Sequence, residues 1–103
     1  MGFGRDLKSL LWHIIGGTRG GETRARIINE LRDRPYNPNQ LSGNLELDYK
    51  TVTYHLRKLE DNGLVESGEE DYGKMYELSE KLDSRIEVFE QIWEKIDKEN
   101  GGN

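Results

Sequence analysis

The chain has 103 residues and no cysteine, which excludes a disulfide framework and a thiolate metal site. One third of the residues are hydrophobic and slightly more are charged, so the chain suits one domain, 1–103, with a modest core. No run approaches the roughly 20 apolar residues that span a bilayer. The apolar stretch Leu10 to Ile15 lacks the basic flank and cleavage site of a secretory signal, so a cytoplasmic protein is expected.

The net charge of −5 is unevenly spread. Residues 1–58 carry ten Lys/Arg and six Asp/Glu, whereas residues 59–103 carry five and fourteen. The split points to a basic contact surface with an acidic remainder held away from it.

Apolar residues at Phe3, Leu7, Leu10, Leu11, Ile14 and Ile15 predict an amphipathic first helix within 1–15. Gly16 to Gly21 ends it, because four glycines in six residues make a helix costly. The hexad lacks the lysine and hydroxyl of a phosphate loop and reads as a flexible connector. A second helix spans Glu22 to Arg34, with Ala25, Ile27, Ile28 and Leu31 inward and Pro35 stopping it. Tyr36 and Asn37 form a short extended link. The third helix, Pro38 to Asn44, is short; Asn37 caps it, Pro38 suits its first position and Gln40 closes a capping box. After a turn at Leu45 to Asp48, Asp48 caps a fourth helix, Tyr49 to Asn62, which Gly63 terminates. Leu64 to Ser67 and Lys74 to Leu78 read as a hairpin, and Leu82 to Glu99 as a final helix. The fold class is therefore mainly α: a winged helix-turn-helix core over 22–78, a two-stranded wing, and extra N- and C-terminal helices.

The fourth helix carries the candidate site. At about 100° per residue, Val52, Leu56 and Leu59 share one side, flanked by His55, while Lys50, Thr53, Tyr54 and Arg57 share the other, bordered by Thr51 and Lys58. No acid stands in the first two turns of that polar face, although acids dominate elsewhere. A helix of this size fits the DNA major groove. Thr51, Thr53, Tyr54 and Arg57 suit base edges, and Lys50 and Lys58 suit phosphate. Arg24 in the second helix and Asn39 and Gln40 at the start of the third are candidates for the flanking backbone, Gln40 with a competing role in capping. On the wing, Lys74 and Tyr72 are the available contacts. The acids Glu69, Glu70 and Asp71 at its tip repel phosphate and suit a basic protein partner instead.

From Gly16 to Leu78 the chain resembles the archaeal ArsR-like winged-helix transcriptional regulators. The likeness lies in GGTRGGETRARIINELRDRP, NPNQLSGNLELDYKTVTYHLRKLEDNGLV and YGKMYELSE, of which LDYKTVTYHLRKLEDNGLV is the most specific. The resemblance implies that Tyr49 to Asn62 is a recognition helix, that Val65 to Leu78 is a wing, and that the first and last helices build a dimer. The chain departs from the metal sensors of that family: it has no cysteine and only His13 and His55, so no metal and no cofactor are expected.

Leu82, Ile86, Phe89, Trp93 and Ile96 recur at spacings of 4, 3, 4 and 3, a heptad seam that Ile92 widens and Val88 lies outside. With Leu7, Leu11 and Ile14 of the first helix it forms the expected dimer interface, and a two-fold dimer predicts an inverted-repeat operator. The expected function is sequence-specific binding of double-stranded DNA by a homodimeric transcription regulator. The alternative is a winged-helix module for protein contacts in a transcription complex, which the acidic second half would suit. No nucleophile–base pair or cofactor loop points to an enzyme.

Overall fold

The computed structural model describes residues 6–68 and 74–101, and side chains through residue 98. The chain opens with α1 (Leu7–Ile15), where the Asp6 carboxylate accepts from the Ser9 amide at 2.9 Å and so satisfies one of the free N-terminal donors. Phe3, assigned by spacing to this helix, lies outside the described residues. The face bearing Leu7, Leu11, Ile14 and Ile15 is buried.

The glycine hexad is a close-packed turn, not a flexible connector. Gly20 takes φ 82°, a left-handed conformation that a side chain would strain. A Cβ on Gly21 would stand 2.4 Å from the Ile15 carbonyl oxygen, so α2 (Gly21–Leu31) starts in direct contact with the end of α1. The second helix stops at Leu31, short of the expected Arg34. Beyond it the chain bends so that Tyr36 can exchange backbone hydrogen bonds of 3.1 and 2.8 Å with Tyr76, adding a single rung to the wing.

The third helix, α3 (Pro38–Leu45), begins with the expected capping box. Asn37 accepts from the Gln40 amide at 2.8 Å, and Gln40 accepts from the Asn37 amide at 2.9 Å. Glu46 closes the helix at φ 56° and leads through a tight turn into α4 (Tyr49–Asp61). Asp48 occupies the N-cap position, but its side chain accepts no helix amide, unlike the role its residue type suggests. Gly63 at φ 71° ends α4, and the Leu64 amide returns to the Leu59 carbonyl at 3.0 Å as Leu64 enters the core.

The wing pairs β1 (Val65–Ser67) with β2 (Tyr76–Leu78) antiparallel, Val65 opposite Leu78 and Ser67 opposite Tyr76. The acidic tip and Tyr72, residues 69–73, lie outside the described residues. The C-terminal part is not one helix. Ser79 caps a short α5 (Glu80–Asp83), Ser84 and Arg85 turn the chain, and α6 (Ile86–Gly101) follows.

That break overturns the heptad seam. Leu82 lies in a different helix from Ile86, and Leu11, Leu82 and Phe89 are fully buried within this chain. Leu7, Ile14 and Ile96 join them in the same cluster, as does Val88, which the heptad reading put outside. The stripes of α1 and α6 cover the chain's own core, with α1 packed between α2 and α6. Only Ile86 and Trp93 of the expected interface stay half-buried, the Trp93 ring stacked 6.2 Å from Phe89. No helix among the described residues is long and apolar enough to cross a membrane.

Two glycine substitutions separate packing from propensity. Gly21→Ala drives a methyl into the α1 backbone and should destabilise the fold by about 1–3 kcal/mol. Gly43→Ala, in the middle of α3 with open space around it, should stabilise by about 0.5–1 kcal/mol. Urea unfolding checks both, and shifts of the same sign would contradict this packing.

Candidate nucleic-acid interface

Val52, Leu56 and Leu59 anchor α4 in the core and thereby fix which side looks outward. On that side Lys50, Tyr54, Arg57 and Lys58 are exposed, and Thr51 and Thr53 are half-buried. The Lys58 ammonium sits 6.0 Å from the centre of the Tyr54 ring, an arrangement that draws the cation toward the aromatic face. From Tyr49 to Leu59 the helix holds no acid; Glu60 and Asp61 close it. Helix polarity strengthens this bias, since the free amides of the first turn add partial positive charge at the end nearest Lys50.

Beside this face lies a concavity of about 370 Å³ between α4, the start of α3 and the wing. Asn39, Thr53, Arg57 and Lys74, four of the residues singled out in the sequence, line it together. So do Tyr49, Glu60 and Tyr76. Glu60 accepts from the Ser67 hydroxyl at 3.0 Å and ties α4 to β1. Burial, with the nearby Glu60 charge, pushes the Tyr76 phenol above its ordinary value and keeps it a neutral donor. Tyr49 was read only as the start of a helix, yet it is 50% exposed and stands one turn before Thr53 on the same face. The i, i+4 spacing of Tyr49 and Thr53 was the available signal.

Two of the expected contacts are placed otherwise. The Gln40 side chain is engaged in the capping box. Arg24 is buried at 4% exposure and does not reach the surface where a duplex would lie. Its Nε donates to the Ile14 carbonyl at 2.8 Å, and its terminal nitrogens reach the Thr18 hydroxyl at 3.1 Å, the Arg19 carbonyl at 3.3 Å and His55 Nδ1 at 3.1 Å. Arg26, a neighbour on α2, donates to the Leu45 carbonyl at 2.8 Å and so closes the C-terminal end of α3.

His55 is buried on α4 and completes the Arg24 network. A guanidinium only donates, so Nδ1 accepts and the ring proton sits on Nε2. Burial first, then the charges of Arg24 and Lys58, push the imidazole below the ordinary histidine range. Its one basic nitrogen is thus already used, and His13 is exposed on α1. Among the described residues no three His, Asp or Glu side chains gather into a metal-holding group.

Three helices, with α3 and α4 joined by a tight turn, followed by a two-stranded antiparallel wing, define a winged helix-turn-helix protein. Residues 21–67, from the first residue of α2 to the last of β1, match the model of the bacterial regulatory protein, arsR family. Among solved structures, HlyU from Vibrio cholerae N16961 is 26% identical with a TM-score of 0.65, over 84% of this chain and 91% of that one. The homodimeric winged helix-turn-helix DNA-binding domain Mb0332 from Mycobacterium bovis is 19% identical with a TM-score of 0.66, over 95% of this chain and 92% of that one. Lactococcus lactis ZitR in complex with DNA is 21% identical with a TM-score of 0.59; the match covers 71% of this chain and only 52% of ZitR. No curated protein matches the sequence significantly.

Burial sets the expected consequences of substitution. Arg24→Ala removes two buried hydrogen bonds, leaves His55 Nδ1 unpaired in the interior and should cost about 2–4 kcal/mol of stability. Lys50→Ala and Lys58→Ala, both at the surface, should stay within about 0.5 kcal/mol of the parent in the same urea titration.

Proposed function

We propose that this protein is a transcription regulator that binds specific double-stranded DNA as a homodimer, with α4 in the major groove. The observation that carries the reading is the outward face of α4, where Lys50, Tyr54, Arg57 and Lys58 are exposed with no acid from Tyr49 to Leu59 in a chain of net charge −5. Such a surface meets a polyanion without repulsion while the rest of the protein stays acidic. The match to the arsR family model over 21–67 and the likeness to ZitR, solved with DNA, support it.

Arg57, in the concavity with Thr53 and Asn39, is suited to a guanine edge, and Lys50 and Lys74 to phosphates on either side. The half-buried Leu10, Trp12, Ile86 and Trp93 of α1 and α6 are apolar surface available to a second copy. Mb0332, described as homodimeric, supports that arrangement. Two recognition helices related by a two-fold axis would read an inverted repeat about one helical turn apart.

Selection of duplexes from a random pool, at fixed salt, tests the function directly. An inverted repeat should emerge, and its affinity should fall steeply as salt rises. Arg57→Ala should weaken binding by about 1–3 kcal/mol and relax the selected sequence. Lys50→Ala should weaken all duplexes alike and reduce the salt slope by about one. Recovery of no sequence preference from the pool would overturn the reading. For assembly, sedimentation equilibrium should give a dimer at micromolar concentration, and a monomer that recovers single half-sites would exclude the two-fold arrangement.

A further inference from the structure

We propose that Arg24 and His55 form a proton-sensitive clamp that positions α4 on the body of the protein, so that protonating His55 releases the helix and weakens duplex binding. The clamp rests on the DNA-binding reading above for its consequence, but its chemistry stands on the fold alone. Four attachment points meet at one guanidinium: the Ile14 carbonyl at the end of α1, the Thr18 hydroxyl and Arg19 carbonyl in the glycine turn, and His55 Nδ1 on α4. Three of them belong to the body of the protein, and only the fourth belongs to the helix that carries the candidate interface. His55 is therefore the side chain through which this network holds α4.

The bond requires a neutral ring. Nδ1 accepts a hydrogen bond from a cation, and a protonated imidazole has no acceptor left. Protonation would put two positive charges 3.1 Å apart in the interior. Among the described residues no acidic side chain acts on the ring to relieve them. The charges acting on the ring are Arg24 from α2 and Lys58 from α4 itself, both positive, and Tyr54 of α4 meets it edge-on at 5.0 Å. Arg24 is fixed by its other partners, so the imidazole must give way.

It cannot give way toward the turn. A Cβ on Gly20 would lie 2.8 Å from His55 Cε1 and 3.1 Å from the Arg24 guanidinium, so ring and backbone are already in contact there. The remaining direction is outward, which tilts the turn of α4 around His55 while Val52, Leu56 and Leu59 keep the helix seated in the core. Tyr54 and Lys58, the residues one before and three after His55, both stand on the exposed face, so a shift of this turn moves the interface itself. The sign follows from linkage. The folded state holds His55 below its unfolded value of about 6.5, so the clamp contributes fully above that pH and is lost as pH falls below it. This opposes the generic trend, in which added positive charge at low pH strengthens binding to DNA.

The 103-residue protein and a duplex recovered at about pH 7.5 provide the test, with affinity read by fluorescence anisotropy at constant salt down to about pH 5.5. The parent should bind more weakly at the lower pH, by at most about tenfold, the limit an unshifted histidine would set. His13→Asn, altering the exposed histidine, should follow the parent. His55→Asn keeps an oxygen where Nδ1 stands but cannot titrate, and its affinity should change by less than about threefold over the same range. A pH-independent parent, or a His55→Asn variant that loses affinity as steeply as the parent, would overturn the clamp. An NMR titration of the unaltered protein without DNA separates this from failure of the functional reading. His55 should titrate below the ordinary histidine range, with the amide signals of α4 shifting in step. If no duplex is selected at all, DNA binding fails while that titration still decides the clamp: a His55 ring that titrates at the ordinary histidine value of about 6.5 sinks it.

Discussion

Packing in this fold depends on how closely the end of α1 approaches the start of α2. The Ile15 carbonyl lies against the backbone of Gly21, and Gly20 in its left-handed conformation turns the chain between them. Only at this separation can Arg24, in the first turn of α2, reach back to the Ile14 carbonyl and forward to His55 at once. A buried guanidinium is costly unless its donors are matched, and the turn supplies the Thr18 and Arg19 oxygens that match them. The glycines and the arginine thus depend on each other: the first permit the approach, and the second fastens α4 to the place it creates.

Local signals in the sequence translated well into structure. The Asn37–Gln40 capping box and the Gly63 terminator form as their residue types suggest, because each is decided within one helical turn. The winged helix-turn-helix order was legible for the same reason. Asp48 shows the limit of this: its position fits a cap, but the side chain makes no capping bond.

What the sequence hid depends on partners distant along the chain. The charge of Arg24 suggests a phosphate contact, although it stands three, four and seven residues before Ile27, Ile28 and Leu31 and so falls on their buried stripe. The periodicity contained the answer; the identity of the residue obscured it, since a buried arginine needs acceptors that only the fold brings together. The C-terminal seam fails for a related reason. Spacings of 3 and 4 describe an apolar face but not what covers it, and the turn at Ser84–Arg85 moves Leu82 into α5. With α1 against α6, two stripes that seemed unmatched in sequence satisfy one another. Small domains favour that outcome, because every apolar face buried internally enlarges a core that is otherwise marginal.

The acidic character of the chain is compatible with a polyanionic partner because of where the acids sit. Helix α4 packs against α2, α3 and β1, whereas α6, with exposed Glu87, Glu90, Glu94 and Asp97, packs against α1 and α5. Under physiological salt, charges more than about 8 Å apart across solvent are largely screened. Acids carried on α6 therefore repel a duplex held at α4 far less than the formal charge of −5 suggests. Closest to the face of α4 are Asp48 at its N-cap, exposed and making no capping bond, and Glu60 and Asp61 at its C-terminal end. Glu60 is drawn toward the wing by Ser67, which leaves Asp61 as the exposed negative group beside Arg57 and Lys58. In the proposed complex a carboxylate at each end of the helix would weaken phosphate attraction there and leave the contact to the middle turns, where Thr53, Tyr54 and Arg57 stand.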